Sequence, residues 1–141
     1  MFKKMFLLRL VEGYRKSISI LWLIYNIGII NIIRWFIGII SKNVFELKID
    51  FTFHSKKVTL YLESTMTDII LLTEIFFLKV YQIDYIDTPH LIVDAGSNKG
   101  LAAVYFGNIW PNCEIHCFEP NKDLLGILNK NLQANNVNAK I

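Results

Sequence analysis

Residues 90–121 constrain this chain's fold more than any other stretch. His90, Leu91, Ile92, Val93 and Asp94 form a short apolar run ending in an acid, followed at once by Ala95, Gly96, Ser97, Asn98, Lys99 and Gly100. A helical stretch, Leu101–Ile109, comes next and is stopped by Trp110 and Pro111. A second short strand, Glu114–Phe118, ends in Glu119 and Pro120, and Asn121 caps a further helix over 122–132. Residues 139–141 allow the start of a third strand. The order is strand, glycine loop, helix, strand, acid, helix. It predicts the opening of a doubly wound, Rossmann-like α/β sheet.

Each part of this run has a physical use. Gly96 and Gly100 have no Cβ, so the loop can turn sharply and its backbone can lie against a ligand. Strand ends of such a sheet open on the crevice where nucleotides bind. Glu119 follows Gly96 by 23 residues, the interval that sets a carboxylate at the second strand tip to accept from both ribose hydroxyls of an adenosine cofactor. Asp94, at the first tip, can order the loop or reach an amino group on the ligand. The loop lacks the G-x-G-x-x-G pattern of dinucleotide sites and the G-x-x-x-x-G-K-[ST] pattern of phosphate cradles. An acid beside the loop suits a cationic sulfonium and ammonium better than a pyrophosphate, which points to S-adenosylmethionine.

Val93 to Gly100, followed by His116, Cys117, Phe118, Glu119, Pro120 and Asn121, resembles the FkbM-type family of S-adenosylmethionine-dependent methyltransferases. That family's motif reads roughly V-D-x-G-A-N-x-G and then a strand ending F-E-P; Ser97 here replaces the usual Ala. The helix carrying Thr67, Asp68, Glu74, Ile75 and Phe76, with Tyr81 after it, also looks like the helix preceding the family motif, so the likeness covers about residues 65–137. The resemblance implies cofactor-binding roles for Asp94, Gly96, Ser97, Asn98, Gly100 and Glu119. The first-strand acid and glycines would line the methionine end, Glu119 would hold the ribose, and Asn98 would steady the loop or touch the cofactor. It further implies methyl transfer to a hydroxyl of a small molecule, glycan, lipid or natural product. The family sheet has about seven strands, so the resemblance marks 141 residues as an N-terminal portion or a broken gene product, inactive alone. No catalytic base is assigned.

The middle segment changes period. Phe45, Leu47, Ile49, Phe51 and Phe53 alternate with Glu46, Lys48, Asp50, Thr52 and His54, a half-buried strand. Ser55, Lys56 and Lys57 make a polar connection, and Val58, Leu60 and Leu62 alternate again, so a β-hairpin is expected, with His54 an exposed turn residue. Thr67 or Ser64 then caps a helix to about Val80, with Asp68 in its first turn and Ile69, Ile70, Leu72, Ile75, Phe76 and Val80 on its buried side. Glu74 and Asp84 read as solvated, and 81–89 as a loop.

Charge and hydropathy separate the first 42 residues from the rest. They carry seven Lys/Arg against Glu12 alone, a net +6, and residues 43–141 carry −3. Hydrophobic residues make up 53% of the chain and charged residues 19%, which excludes a disordered chain. Because the basic part is also the most apolar, the implied partner is an anionic membrane surface, and nucleic acid is excluded. Residues 18–40 are long enough to span a bilayer, but Arg34 in the apolar interior costs ~2.5–3.5 kcal/mol on insertion. Asn31, Arg34 and Gly38 share one helix face, and Trp22 and Trp35 suit the headgroup level, so helices that lie in the interface or pack on a partner are preferred. A true span and burial within the domain are the alternatives. With five basic residues ahead of the apolar run, a span would export everything after it. A cytosolic cofactor argues against that, and against secretion. The expected location is the cytoplasm, with contact at the inner face of the membrane.

Cys113 and Cys117 flank His116 on the second strand, too few ligands for a closed zinc site, so they are expected to be reduced and buried and no metal is expected. The chain thus divides into a basic apolar helical segment (1–42), a hairpin plus helix (43–88) and the incomplete cofactor-binding part (89–141). Two other readings compete: an adenosine-nucleotide half-domain of NAD type, and a small membrane-associated protein with a vestigial methyltransferase segment.

Overall fold

The computed structural model describes residues 21–83 and 87–141. In chain order these form α1 (Leu21–Ile27), α2 (Ile29–Ser41), β1 (Glu46–Phe53), β2 (Lys56–Glu63) and α3 (Met66–Leu72), which continues into a π-helical segment (Thr73–Phe77). Then follow β3 (Leu91–Ala95), α4 (Leu101–Ile109), β4 (Glu114–Phe118), α5 (Lys122–Ala134) and β5 (Ala139–Lys140). The architecture is mixed α/β with two sheets, an antiparallel hairpin β1-β2 and a parallel sheet ordered β3-β4-β5.

The hairpin follows from its alternation. Leu47, Ile49, Phe51 and Phe53 of β1 and Val58, Leu60 and Leu62 of β2 are all buried on one face. The connection is tighter than the polar run suggests. Phe53 pairs with Lys56, so the turn is His54 and Ser55 alone, both at positive φ (47° and 62°), which matches the twist of the strands. Lys56 and Lys57 therefore belong to β2. On the apolar face, Phe51 and Phe53 meet Phe76 edge-on (ring centroids 5.0 and 5.2 Å), and Trp22 packs on Phe51 at 5.9 Å.

The α3 cap is neither Thr67 nor Ser64 but Thr65, whose Oγ1 accepts from the Asp68 N–H (3.2 Å). Ser64 is buried and its hydroxyl instead accepts from the Phe45 N–H (3.0 Å). The helix also stops before Val80. At its end the Leu78 N–H reaches the Thr73 carbonyl five residues back (2.9 Å), and Lys79 turns left-handed (φ 50°). Leu72, Ile75 and Phe76 are buried, whereas Ile70, ahead of this wider turn, and Val80, beyond it, are exposed. Glu74 is exposed as expected; Asp84 lies outside the described residues.

In the parallel sheet Ile92 pairs with Ile115 and Asp94 with Cys117, and that face lies under the helices: Ile115 and Cys117 join the core with Leu101, Val104, Leu128 and Leu132. On the opposite face Leu91, Val93 and Phe118 are exposed. Two asparagines lock the hairpin to this unit. The Asn131 and Asn135 amides, one turn apart on α5, each accept from and donate to the β2 backbone, at Tyr61 (2.6 and 3.0 Å) and Thr59 (3.0 and 2.7 Å). They occupy the edge of β2 as a neighbouring strand would.

At the N-terminal end, α1 and α2 are bent by 111° at Gly28, and no single described helix is long and apolar enough to cross a membrane. Gly28 itself sits at φ 84°. The face with Gly38 turns toward the protein, where an added Cβ would fall 2.2 Å from the Ser64 Oγ. Trp35 is fully buried, its indole N–H donating to the Thr65 carbonyl (2.9 Å), and so does not sit at a headgroup level.

Candidate functional site

The loop between β3 and α4 is held by inward-facing bonds. The N–H groups of Gly96 and Ser97 both donate to the Phe118 carbonyl at the end of β4 (2.8 and 3.0 Å), and the Gly100 N–H donates to the Ser97 carbonyl (2.7 Å). The Ser97 hydroxyl donates to the Asp94 carbonyl (2.7 Å), closing the turn with a side chain that Ala would lack. Gly96, Asn98 and Gly100 are all left-handed (φ 85°, 50° and 79°). The two glycines face different surroundings. A Cβ on Gly96 would meet nothing within 4 Å, whereas one on Gly100 would lie 2.5 Å from Leu128 Cδ1. Gly96 thus leaves open space beside the loop, and Gly100 lets α5 close on it.

Glu119 belongs to the same network. One carboxylate oxygen accepts from the Asn98 N–H (2.7 Å) and the other from the Asn121 N–H (2.8 Å), so the acid ties the tip of β4 to the loop and to the start of α5. A carboxylate has about four lone-pair sites, so two remain for hydroxyl donors. Asp94 is the contrasting acid. Its Oδ2 is buried and has no hydrogen-bond partner. Burial pushes its carboxyl above the ordinary value of 3.8, the Ser97 side chain opposes that, and the charge of Glu119 adds to it.

Lys99, which sequence reasoning passed over, carries a buried ion cluster. Its ammonium lies 2.6 and 2.8 Å from the two Asp68 oxygens and 2.7 Å from Glu63. Asp68 is buried as well and also accepts from the Glu63 N–H (2.6 Å), so it is far more than a helix-dipole partner. The Lys99 carbonyl accepts from the Asn131 amide (2.7 Å). The loop is therefore clamped to the hairpin, α3 and α5 at one residue.

Asp94, Gly96, Ser97 and Asn98 line a cleft of about 120 Å³ together with Lys99, and its far wall is Leu71, Ile75 and Tyr81. Of the residues expected at the site, Gly100 and Glu119 do not line this cleft. Glu119 adjoins it through Asn98, and Gly100 lies beneath Leu128. The wall residues lie in the segment whose apolar period and Tyr81 were visible, but the π-helical shift that aims them was not. Cys113 and Cys117 are buried free thiols, and desolvation pushes both above their ordinary range. His116, one residue out of phase, points to the other sheet face and bonds Glu114 (2.8 Å).

Comparison with family models, with curated proteins and with solved structures finds no match for this chain.

Proposed function

We propose that this chain carries the adenosyl-binding portion of an S-adenosylmethionine-dependent O-methyltransferase of FkbM type, built on a Rossmann-like sheet. The observation that carries the reading is the polarity of the loop. The N–H groups of Gly96, Ser97 and Asn98, which in a dinucleotide site would face a pyrophosphate, are turned onto Phe118 and Glu119. What the loop presents instead is acidic: the Asp94 carboxyl with an unpartnered buried oxygen, and Glu119 at the neighbouring strand tip. Such a site suits a cation and rejects a phosphate, which weighs against the NAD-type reading.

The residues present fit the cofactor. Asp94 would accept from its ammonium, giving the orphaned oxygen a partner. The open side of Gly96 would admit the adenosyl chain, and Glu119 would use its remaining lone pairs on the ribose hydroxyls. Bound there, the cofactor supplies an electrophilic methyl on sulfur. The chain's own part is to bind and align that group, since positioning supplies much of the rate in such transfers. The acceptor class, a glycan, lipid or natural-product hydroxyl, rests on the resemblance alone.

Thermal unfolding with added S-adenosylmethionine or NAD⁺ tests the proposal. S-adenosylmethionine should raise the transition temperature and NAD⁺ should not. A shift with NAD⁺ of equal or greater size would replace the methyltransferase reading by the dinucleotide one.

A further inference from the structure

We propose that the outward face of α2 is a membrane-docking surface that rests on the headgroup layer of an anionic bilayer. This inference is independent of the cofactor reading. Helix α2 is apolar on both sides. Trp35 and Gly38 face inward, fixed by the indole bond to the Thr65 carbonyl and the close approach to Ser64. The opposite side consists of Ile29, Ile30, Ile33, Phe36, Ile37 and Ile40, and every one is exposed, Ile30 by 71% and Ile40 by 79%. At 100° per residue these six fall in one arc of roughly 120°, an unbroken apolar stripe. Soluble surfaces scatter single apolar residues but rarely gather so many large ones on one helix.

Length and charge choose the occupant. Thirteen residues make a helix about 20 Å long, short of the roughly 30 Å hydrocarbon core, and the 111° bend at Gly28 prevents α1 from extending it. The helix is therefore suited to lie flat. Arg34 and Lys42 are exposed at the margin and end of the stripe, and Lys3, Lys4, Arg9, Arg15 and Lys16 precede it in sequence. An apolar stripe with cations beside it matches the acyl boundary and anionic headgroups of a bilayer, while a second copy would set these positive charges against their like. The arrangement differs from a polar stripe turned to water. Here the face bearing Trp35 and Gly38 packs inward beside Phe45 and Ser64, and the wholly apolar face is left outward.

The test is flotation of the full chain with vesicles of phosphatidylcholine alone and with vesicles also containing phosphatidylglycerol. The chain should float with the anionic vesicles and bind the neutral ones at least several-fold more weakly. Ile33→Glu/Ile37→Glu, both at exposed positions, should cut anionic-vesicle binding by about tenfold or more with the circular dichroism unchanged. Arg34→Glu should reduce the preference for phosphatidylglycerol and leave the fold intact. No flotation with either vesicle, or equal binding by wild type and the double Glu variant, would overturn the proposal. So would self-association in sedimentation that the double Glu variant abolishes, since the face would then belong to a second copy.

Discussion

Two carboxylates at the ends of adjoining strands do opposite jobs, and their surroundings decide which. Glu119 is satisfied by two backbone N–H groups, so Glu119→Ala should free the Asn98 and Asn121 amides, speed their hydrogen exchange and weaken S-adenosylmethionine binding by ~1.5–3 kcal/mol. Unchanged affinity in a folded variant would remove Glu119 from the site. Burial disfavours the ionised form of Asp94. Its folded pKa is raised above the unfolded value, so the stability it contributes is full below the unfolded value and is lost as pH rises through the folded one. Asp94→Asn should therefore raise the unfolding temperature at neutral pH and give no advantage in acid near pH 3, while abolishing recognition of an ammonium. Thermal melts across that pH range, with and without the cofactor, check both halves. Cofactor affinity of the wild type should likewise fall as acid protonates Asp94.

The placement of both acids at adjoining strand ends was legible in the sequence because it follows from their spacing from a glycine loop. Lys99 was not. Within the motif it occupies a variable-looking position, and nothing local distinguishes a lysine in water from one buried against Asp68 31 residues away in sequence.

At the scale of elements, that ion cluster sets how firmly the loop is joined to the hairpin. Lys99→Met leaves Asp68 buried without its cation and should cost about 3–5 kcal/mol in urea denaturation. The double variant Lys99→Met/Asp68→Asn should recover a large part of this loss, whereas two independent losses would show that the residues do not act as a pair. The asparagine clasp behaves alike. Asn131→Ala strips partners from the half-buried Tyr61 backbone and the Lys99 carbonyl and should destabilise by roughly 1–3 kcal/mol, more than Asn135→Ala at its partly exposed position.

Strands and helices with a clean period were readable: α4 and β4 fall on the residues expected, and the hairpin differs only in the length of its turn. The misplaced cap and the shortened α3 have a different origin. Ser64 and Thr65 are equally good caps by chemistry, and a neighbouring strand took the Ser64 hydroxyl. A π-helical turn likewise has no composition of its own; tertiary packing of Ile75 and Phe76 selects it.

Among the described residues one continuous apolar core runs from α1 through the hairpin to α4 and α5. The acidic loop and the apolar outer helix belong to different elements, so cofactor binding and membrane docking should be separable by mutation. A mixed α/β unit with a parallel sheet was foreseeable from the order strand, loop, helix, strand, and β3, β4 and β5 pair in parallel. The way the hairpin adds to that unit was not foreseeable. It depends on Asn131 and Asn135, which in sequence look like an ordinary polar end of a helix.

In the proposed function, the loop and its two acids bind a cationic adenosyl cofactor. Amide chemical-shift mapping of the full chain during titration with S-adenosylmethionine tests this most directly, because it reads weak binding residue by residue. Shifts should concentrate at Gly96, Ser97, Asn98 and Glu119, be absent with NAD⁺ and be lost in Glu119→Ala. Shifts that leave those amides unmoved, or that NAD⁺ reproduces, would contradict it.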